Sequence, residues 1–395
     1  MKKYFSLLFV LAICLVACNG KNSEEQKEET AEDSVEQQES FADDFSATLA
    51  KAEQGDANAQ YKIGEMYYKG YGVAQDYTEA VKWYRLSAEQ GNAGGQYSLG
   101  FMYAYGNGVA KDYYEAVKWF RLSAEQGNAG GQCNLGAMYE YGYGVAQDDY
   151  EAVKWYRLAA EQGNAGGQNN LGNMYHEGKG VAKDYAEAVK WYRLSAEQGD
   201  AYAQVNLGIM YSNGYGVAQD YTEAVKWYRL SAEQGHANAQ CNLGRMYAKG
   251  HGVPQDYAEA VKWFRLSAEQ GYAYGQNNLG NMYLYGDGVP QDYYEAVKWF
   301  RLSAEQGDAY GQVSLGTMYY EGEGVAQDYY EAVKWYRLAA EQGDATGQYS
   351  LGLMYEFGLG VTKDYTQAMR WYRQSADQGD ATAIERYNNL KSKGY

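Results

Sequence analysis

The chain has 395 residues, with 34 Lys and Arg against 51 Asp and Glu, for a net charge of −17. A surface this acidic repels phosphate backbones, which argues against nucleic acid as a partner. Three histidines and four cysteines in so long a chain leave few groups for metal or nucleophilic chemistry.

Lys2 and Lys3 precede an apolar run from Tyr4 to Val16. The run is too short to span a bilayer and has the layout of a secretory signal peptide. It ends in Leu15-Val16-Ala17-Cys18, which resembles the lipobox of bacterial lipoproteins. That resemblance implies that residues 1–17 are a lipoprotein signal peptide, cleaved before a lipidated Cys18, and that the membrane is met through this anchor only. An ordinary signal peptide with a chance cysteine is the alternative. Asn19 stands where inner-membrane retention would want Asp, so the expected location is the bacterial cell envelope at the outer membrane, on its periplasmic or surface side. Residues 18–40 read as a disordered acidic tether. Across 19–44 there are ten carboxylates against Lys21 and Lys27, too little apolar surface to offset chain entropy.

From there the chain is periodic. Every tryptophan, Trp83, Trp119, Trp155, Trp191, Trp227, Trp263, Trp299, Trp335 and Trp371, lies 36 residues from the next, with no insertion or deletion. A fixed period of this size marks a solenoid, in which each repeat buries its apolar face against its neighbours. Boundary glycines from Gly55 to Gly379 delimit nine repeats over 56–379, between capping helices at 41–55 and 380–395.

One repeat encodes two helices. The first is expected over Ala57 to Lys69, closed by the turn Gly70-Tyr71-Gly72-Val73. The second starts at Asp76, an acidic N-cap with Glu79 three residues on, and ends at Gly91. Within it Ala80, Trp83, Tyr84, Ser87 and Ala88 form a helical packing stripe. Glu79 with Lys82, and Arg85 with Glu89, are spaced to pair on the exposed side. A glycine recurs in mid-helix at Gly64, Gly100, Gly136 and onward. It costs about 1 kcal/mol relative to Ala, so a large ring is expected against its bare backbone, supplied by Tyr67 or Trp83.

The run Leu99-Gly100 through Met102-Tyr103, Gly106, Gly108-Val109, Asp112-Tyr113, Ala116-Val117, Trp119-Phe120 and Ala124 to Gly127 carries a pattern that every repeat shares. It resembles the Sel-one-like repeat family, relatives of the tetratricopeptide repeats. The resemblance implies an all-α fold, a right-handed superhelical solenoid of antiparallel helix pairs with first helices lining the concave face.

Copies within one chain can be compared with each other. In the first helix they differ at the third, sixth, seventh, tenth, thirteenth and fourteenth places after the boundary glycine, which at about 100° per residue fall in one arc of roughly 120°. Constant Ala, Gln, Leu, Gly, Met and Tyr fill the remainder and are read as core. The variable arc is read as one exposed stripe. It is rich in tyrosine and asparagine, a mixture suited to binding surfaces. Candidate partner-binding residues are Tyr97, Phe101, Asn134, Asn170, Tyr202, Asn206, Asn242, Arg245, Tyr274, Asn278 and Tyr310. The asparagine series could hold an extended peptide or the hydroxyls of a glycan. The expected function is therefore a scaffold or adaptor binding a protein segment at the envelope. A glycan-binding or peptidoglycan-associated protein is the alternative, and a merely solvated, drifted face the plain reading. The oligomeric state is not specified.

No catalytic constellation, metal site or cofactor motif is expected. His176, His236 and His251 occupy three different places of the repeat and are read as surface residues. There is no Gly-rich phosphate loop followed by Lys, and no Ser-x-x-Lys, Ser-Asp-Asn or Lys-Thr-Gly set. Asp76, Glu79 and Glu89 recur as caps and surface pairs, not as an acid/base dyad. Cys133 and Cys241 share one place three repeats apart, too far to bridge.

Overall fold

A computed structural model describes residues 44–395, which form helices and turns without a strand. The expected signal peptide, Cys18, the expected tether and the start of the expected N-terminal cap lie outside the described residues. The fold is an all-α solenoid of paired helices. It divides into two compact units, with the division between Gln219 and Asp220. The first holds a helix at 44–53, the first four helix pairs and the first helix of the fifth repeat, Ala201–Asn213. The second begins with the second helix of the fifth repeat, Tyr221–Glu233, continues through four pairs and ends on Ala381–Ser392.

Local chemistry sets the helix ends. The first helix of the first repeat runs Ala57–Lys69, with the Asp56 carboxylate accepting from Ala59 N and Gly70 closing it at φ 77°. Its partner runs Tyr77–Glu89, with Asp76 accepting from Thr78 N and Glu79 N. Glu79 pairs with Lys82 as expected. Arg85 does not turn to Glu89; it crosses to the next repeat and donates to the Tyr103 hydroxyl at 2.6 Å. The same bond recurs in both units, as in Arg265 to Tyr283.

The mid-helix glycine makes room for a ring, but not for either ring expected. A Cβ on Gly136 would lie 2.8 Å from the Tyr156 ring, and one on Gly280 would lie 2.6 Å from Phe300. The ring is the aromatic just after the tryptophan, on the second helix of the same repeat. The tryptophan serves the seam with the preceding repeat. Trp299 is 8% exposed and shares a cluster with Ala260, Val261, Phe264 and Ala268 from the repeat before it and with Leu279 and Met282 from its own.

Polar groups also hold the seams. The constant glutamine of each first helix is buried; Gln276 donates to Ala268 O of the preceding repeat at 3.2 Å and accepts from Gln306 Nε2 at 2.7 Å. Replacing Gln276 with Leu removes both bonds and leaves one acceptor site on buried Ala268 unmet, while the exposed Gln306 keeps its bond to Leu302 O, so a loss of about 1 kcal/mol is expected in urea unfolding. An unchanged midpoint would mean that the glutamine relay contributes nothing.

Asp200, the cap of Ala201–Asn213, accepts from Ala203 N but is buried enough that its carboxyl is pushed up to about 6. The folded carboxyl then holds its proton more tightly than the unfolded one. Stability therefore falls as pH rises from about 4 towards about 6 and stays lower above that window. Asn92, Asn128 and Asn164 cap the equivalent helices, so Asp200→Asn should keep the cap and remove this dependence. The variant is expected to gain on the native chain in thermal unfolding between pH 4 and 6.5.

Candidate functional site

The six variable places do not form one exposed stripe. The sixth is packed away: Cys133 is 0%, Val205 3% and Cys241 3% exposed. It faces the seventh place of the next first helix, 37 residues on. Asn278 Nδ2 lies 3.5 Å from Cys241 Sγ, Asn206 Nδ2 donates to Asn169 Oδ1 at 3.0 Å, and Ser314 Oγ donates to Asn277 Oδ1 at 3.1 Å. The asparagine series is thus a seam between first helices. Asn134 and Asn170 are buried and do not offer themselves to a partner. Asn206 donates to Asn173 Oδ1 as well, Asn242 donates to Asn238 Oδ1 at 2.8 Å, and Asn278 to Tyr274 O at 2.7 Å.

Other variable places answer to the second helix. The ring facing the mid-helix glycine is Tyr in some repeats and Phe in others, and the thirteenth place of the first helix follows it. Phe120, Phe264 and Phe300 accompany Ala104, Ala248 and Leu284, whereas Tyr156 and Tyr372 accompany Glu140 and Glu356. The Tyr156 hydroxyl donates to Glu140 Oε2 at 2.7 Å and that of Tyr372 to Glu356 Oε2 at 2.6 Å. Tyr192 reaches Asn173 Oδ1 at the tenth place, and Tyr336 meets Thr317 there. Burial pushes the Glu140 carboxyl up despite the Tyr156 bond.

The turns match across the seam in the same manner. Lys111, Lys183 and Lys363 sit 4.7 to 4.8 Å over Tyr113, Tyr185 and Tyr365. Those rings stack on Tyr143, Tyr215 and Tyr395 of the following turn. Where the following turn offers Lys179 instead, Asp149 takes the tyrosine's place; Lys179 pairs with Glu177, which raises its ammonium most, with the charges of Glu140 and then Asp149 adding to it. His251 stacks on Tyr221 and His176 packs against Tyr185, so both histidines belong to these contacts, and neither is fully exposed. His236 takes the cap position of Ala237–Lys249 without a side-chain cap bond.

In the first unit, Tyr97 and Phe101 are half-buried among aromatics: Tyr97 lies 6.1 Å from Phe120, and Phe101 4.4 Å from Tyr105 and 6.2 Å from Tyr68. Burial holds the Tyr97 hydroxyl well above its usual range. Tyr202 is half-buried.

In the second unit three of the candidates remain exposed. Tyr274 and Tyr310 are 48% and 59% exposed, their rings 6.3 Å apart, and Tyr272 lies 5.6 Å from Tyr274. Arg245 is exposed beside them, near Tyr272 and Cys241, and pairs with no carboxylate among the described residues. Tyr272 occupies a cap position held by Asp or Asn in seven of the nine repeats, and its deviation is the signal that sequence comparison could have used. Cys241 beneath them is free, so no bridge joins it to Cys133; burial pushes its thiol up to about 11. Among the described residues no cluster of His, Cys, Asp or Glu could hold a metal, and no helix is long and apolar enough to cross a membrane.

Seams of this kind, with an aromatic patch left over on the first helices, define a helical repeat scaffold. The Sel1 repeat model matches nine consecutive times, from residues 57–92 through 345–380. The chain belongs to the Sel1 repeat family, whose members serve as protein-interaction scaffolds and are typically non-enzymatic. It is similar to c5321 of uropathogenic Escherichia coli, a protective antigen with an SLR fold, at 35% identity over 89% of this chain and 91% of that one, TM-score 0.52. It is also similar to a Sel1 repeat protein from Oxalobacter formigenes, at 33% identity over 83% and 93% of the two chains, TM-score 0.57. No curated protein matches it.

Proposed function

We propose that this chain is a lipid-anchored adaptor of the bacterial cell envelope that holds an extended protein segment on the concave face of its first helices. The observation that carries the binding half of this reading is the tyrosine pair Tyr274 and Tyr310, exposed beside the half-buried Tyr272 on a face whose other variable residues are largely engaged with the scaffold itself. Tyrosines offer large rigid contact area at low entropic cost, as protein-binding surfaces do. The glycan alternative loses support, because asparagine amides that would meet sugar hydroxyls are bonded within the scaffold, Asn206 across a seam to Asn169 and Asn242 and Asn278 to the preceding turn of their own helices. The envelope half rests on Leu15-Val16-Ala17-Cys18 and the outer-membrane half on Asn19.

The test is in-cell crosslinking with affinity capture and mass spectrometry, comparing the native chain with Tyr274→Ala/Tyr310→Ala and with Cys18→Ser. An envelope protein held by the native chain and lost from the folded double variant supports the adaptor reading; capture that ignores both tyrosines overturns it. Loss of membrane fractionation in Cys18→Ser supports the anchor, and unchanged fractionation removes it.

A further inference from the structure

The variable places of the sixth and seventh first helices, Ala237–Lys249 and Ala273–Tyr285, carry Arg245 and Lys249 and not one carboxylate. The surrounding chain has a net charge of −17, and the fifth, eighth and ninth first helices are each capped by an aspartate. The sixth and seventh have lost that acid too, with His236 and Tyr272 at the cap, neither making a side-chain cap bond. Asp308, whose charge reaches Tyr272, accepts from Ser303 Oγ and Gly311 N through Oδ2. Arg245 is exposed and unpaired within this stretch, alongside the tyrosine patch. Cationic side chains gathered at one place of a strongly acidic protein concentrate anionic partners there and repel none of them locally.

We infer that the first-helix face of repeats six and seven takes an extended protein segment carrying carboxylate side chains beside an aromatic or aliphatic one. A carboxylate meets the Arg245 guanidinium, where a planar fork can hold it with two bonds. The neighbouring apolar side chain lies across the exposed faces of Tyr274 and Tyr310. The inference rests on the adaptor reading and adds the chemistry of the partner. Basic segments are disfavoured at this place, although the rest of the surface would attract them.

A randomised heptapeptide library selected against the full chain tests this directly, since it presumes no natural partner. The expected result is enrichment of Asp and Glu next to an aromatic or aliphatic residue. Affinity of the enriched peptides should fall about tenfold in Arg245→Ala and in Tyr274→Ala/Tyr310→Ala, and weaken as salt is raised. Arg245→Glu should shift enrichment towards Lys and Arg. Enrichment of neutral or basic peptides, acidic peptides indifferent to Arg245, or no enrichment at all would each overturn the inference. The two readings fail separately. Peptides that bind elsewhere on the first helices sink this inference and leave the adaptor standing. Acidic peptides bound through Arg245, with no envelope protein captured in cells, do the reverse.

Discussion

Gly108→Ala should destabilise the first unit by about 3 kcal/mol or more, although it adds a single methyl group to a turn. Gly108 sits at φ +66°, where an L side chain is strained, and its Cβ would fall 2.2 Å from Tyr77 O, 2.3 Å from Tyr77 C and 2.7 Å from Thr78 N. These are backbone atoms at the start of Tyr77–Glu89, fixed by the Asp76 cap, so they cannot swing aside as a side chain would. Gly127→Ala is the matched control, with φ +86° and no atom within 4 Å of the new Cβ. It should show only the conformational penalty, about 1 kcal/mol. Urea unfolding followed by circular dichroism compares the two. Equal midpoints would mean that the turn does not dock against the preceding repeat as tightly as these distances require.

That docking explains why the helices were legible in the sequence and their contacts less so. Helix ends follow from local chemistry, and the first helix begins and ends where Ala57 and Lys69 were expected. The partner of the mid-helix glycine was not legible, because Trp83 and Tyr84 fall side by side on the same packing stripe and helical period cannot say which faces the neighbour within the repeat. The arc of six places failed for a related reason. An angle around one helix does not reveal where the next first helix lies, and that helix covers the sixth place with its own seventh. The tyrosine patch was legible as residue types, but not as the exposed remainder of a mostly structural face.

Some of the missing information was nonetheless written in the chain. Ala or Leu at the thirteenth place wherever the facing ring is Phe, and Lys before Tyr wherever the next turn offers Tyr, are correlations between repeats of one sequence. They show that variation along a solenoid has two sources. One compensates a neighbour, as Glu140 does for Tyr156 and Asp149 for Lys179. The other has no internal counterpart, and Tyr274, Tyr310 and Arg245 are of that kind. Subtracting the first from the second locates a candidate surface without any homologue.

Residues of the constant scaffold and of the tyrosine patch should respond unequally to truncation. Trp299→Ala is expected to cost about 3–5 kcal/mol, since the indole is 8% exposed and packs on second-helix residues of the preceding repeat as well as on Leu279 and Met282 of its own. In a solenoid that loss falls on a nearest-neighbour interface, so the second unit should unfold earlier while the first changes little. Tyr274→Ala removes a ring that is 48% exposed and should shift stability by no more than about 0.5 kcal/mol. Native-state hydrogen exchange resolves both effects by segment. Faster exchange across Tyr257–Glu269 and Ala273–Tyr285 is expected for Trp299→Ala and none for Tyr274→Ala. Similar losses from the two would show that Tyr274 is part of the scaffold. The tyrosine patch would then cease to be a surface held in reserve for a partner.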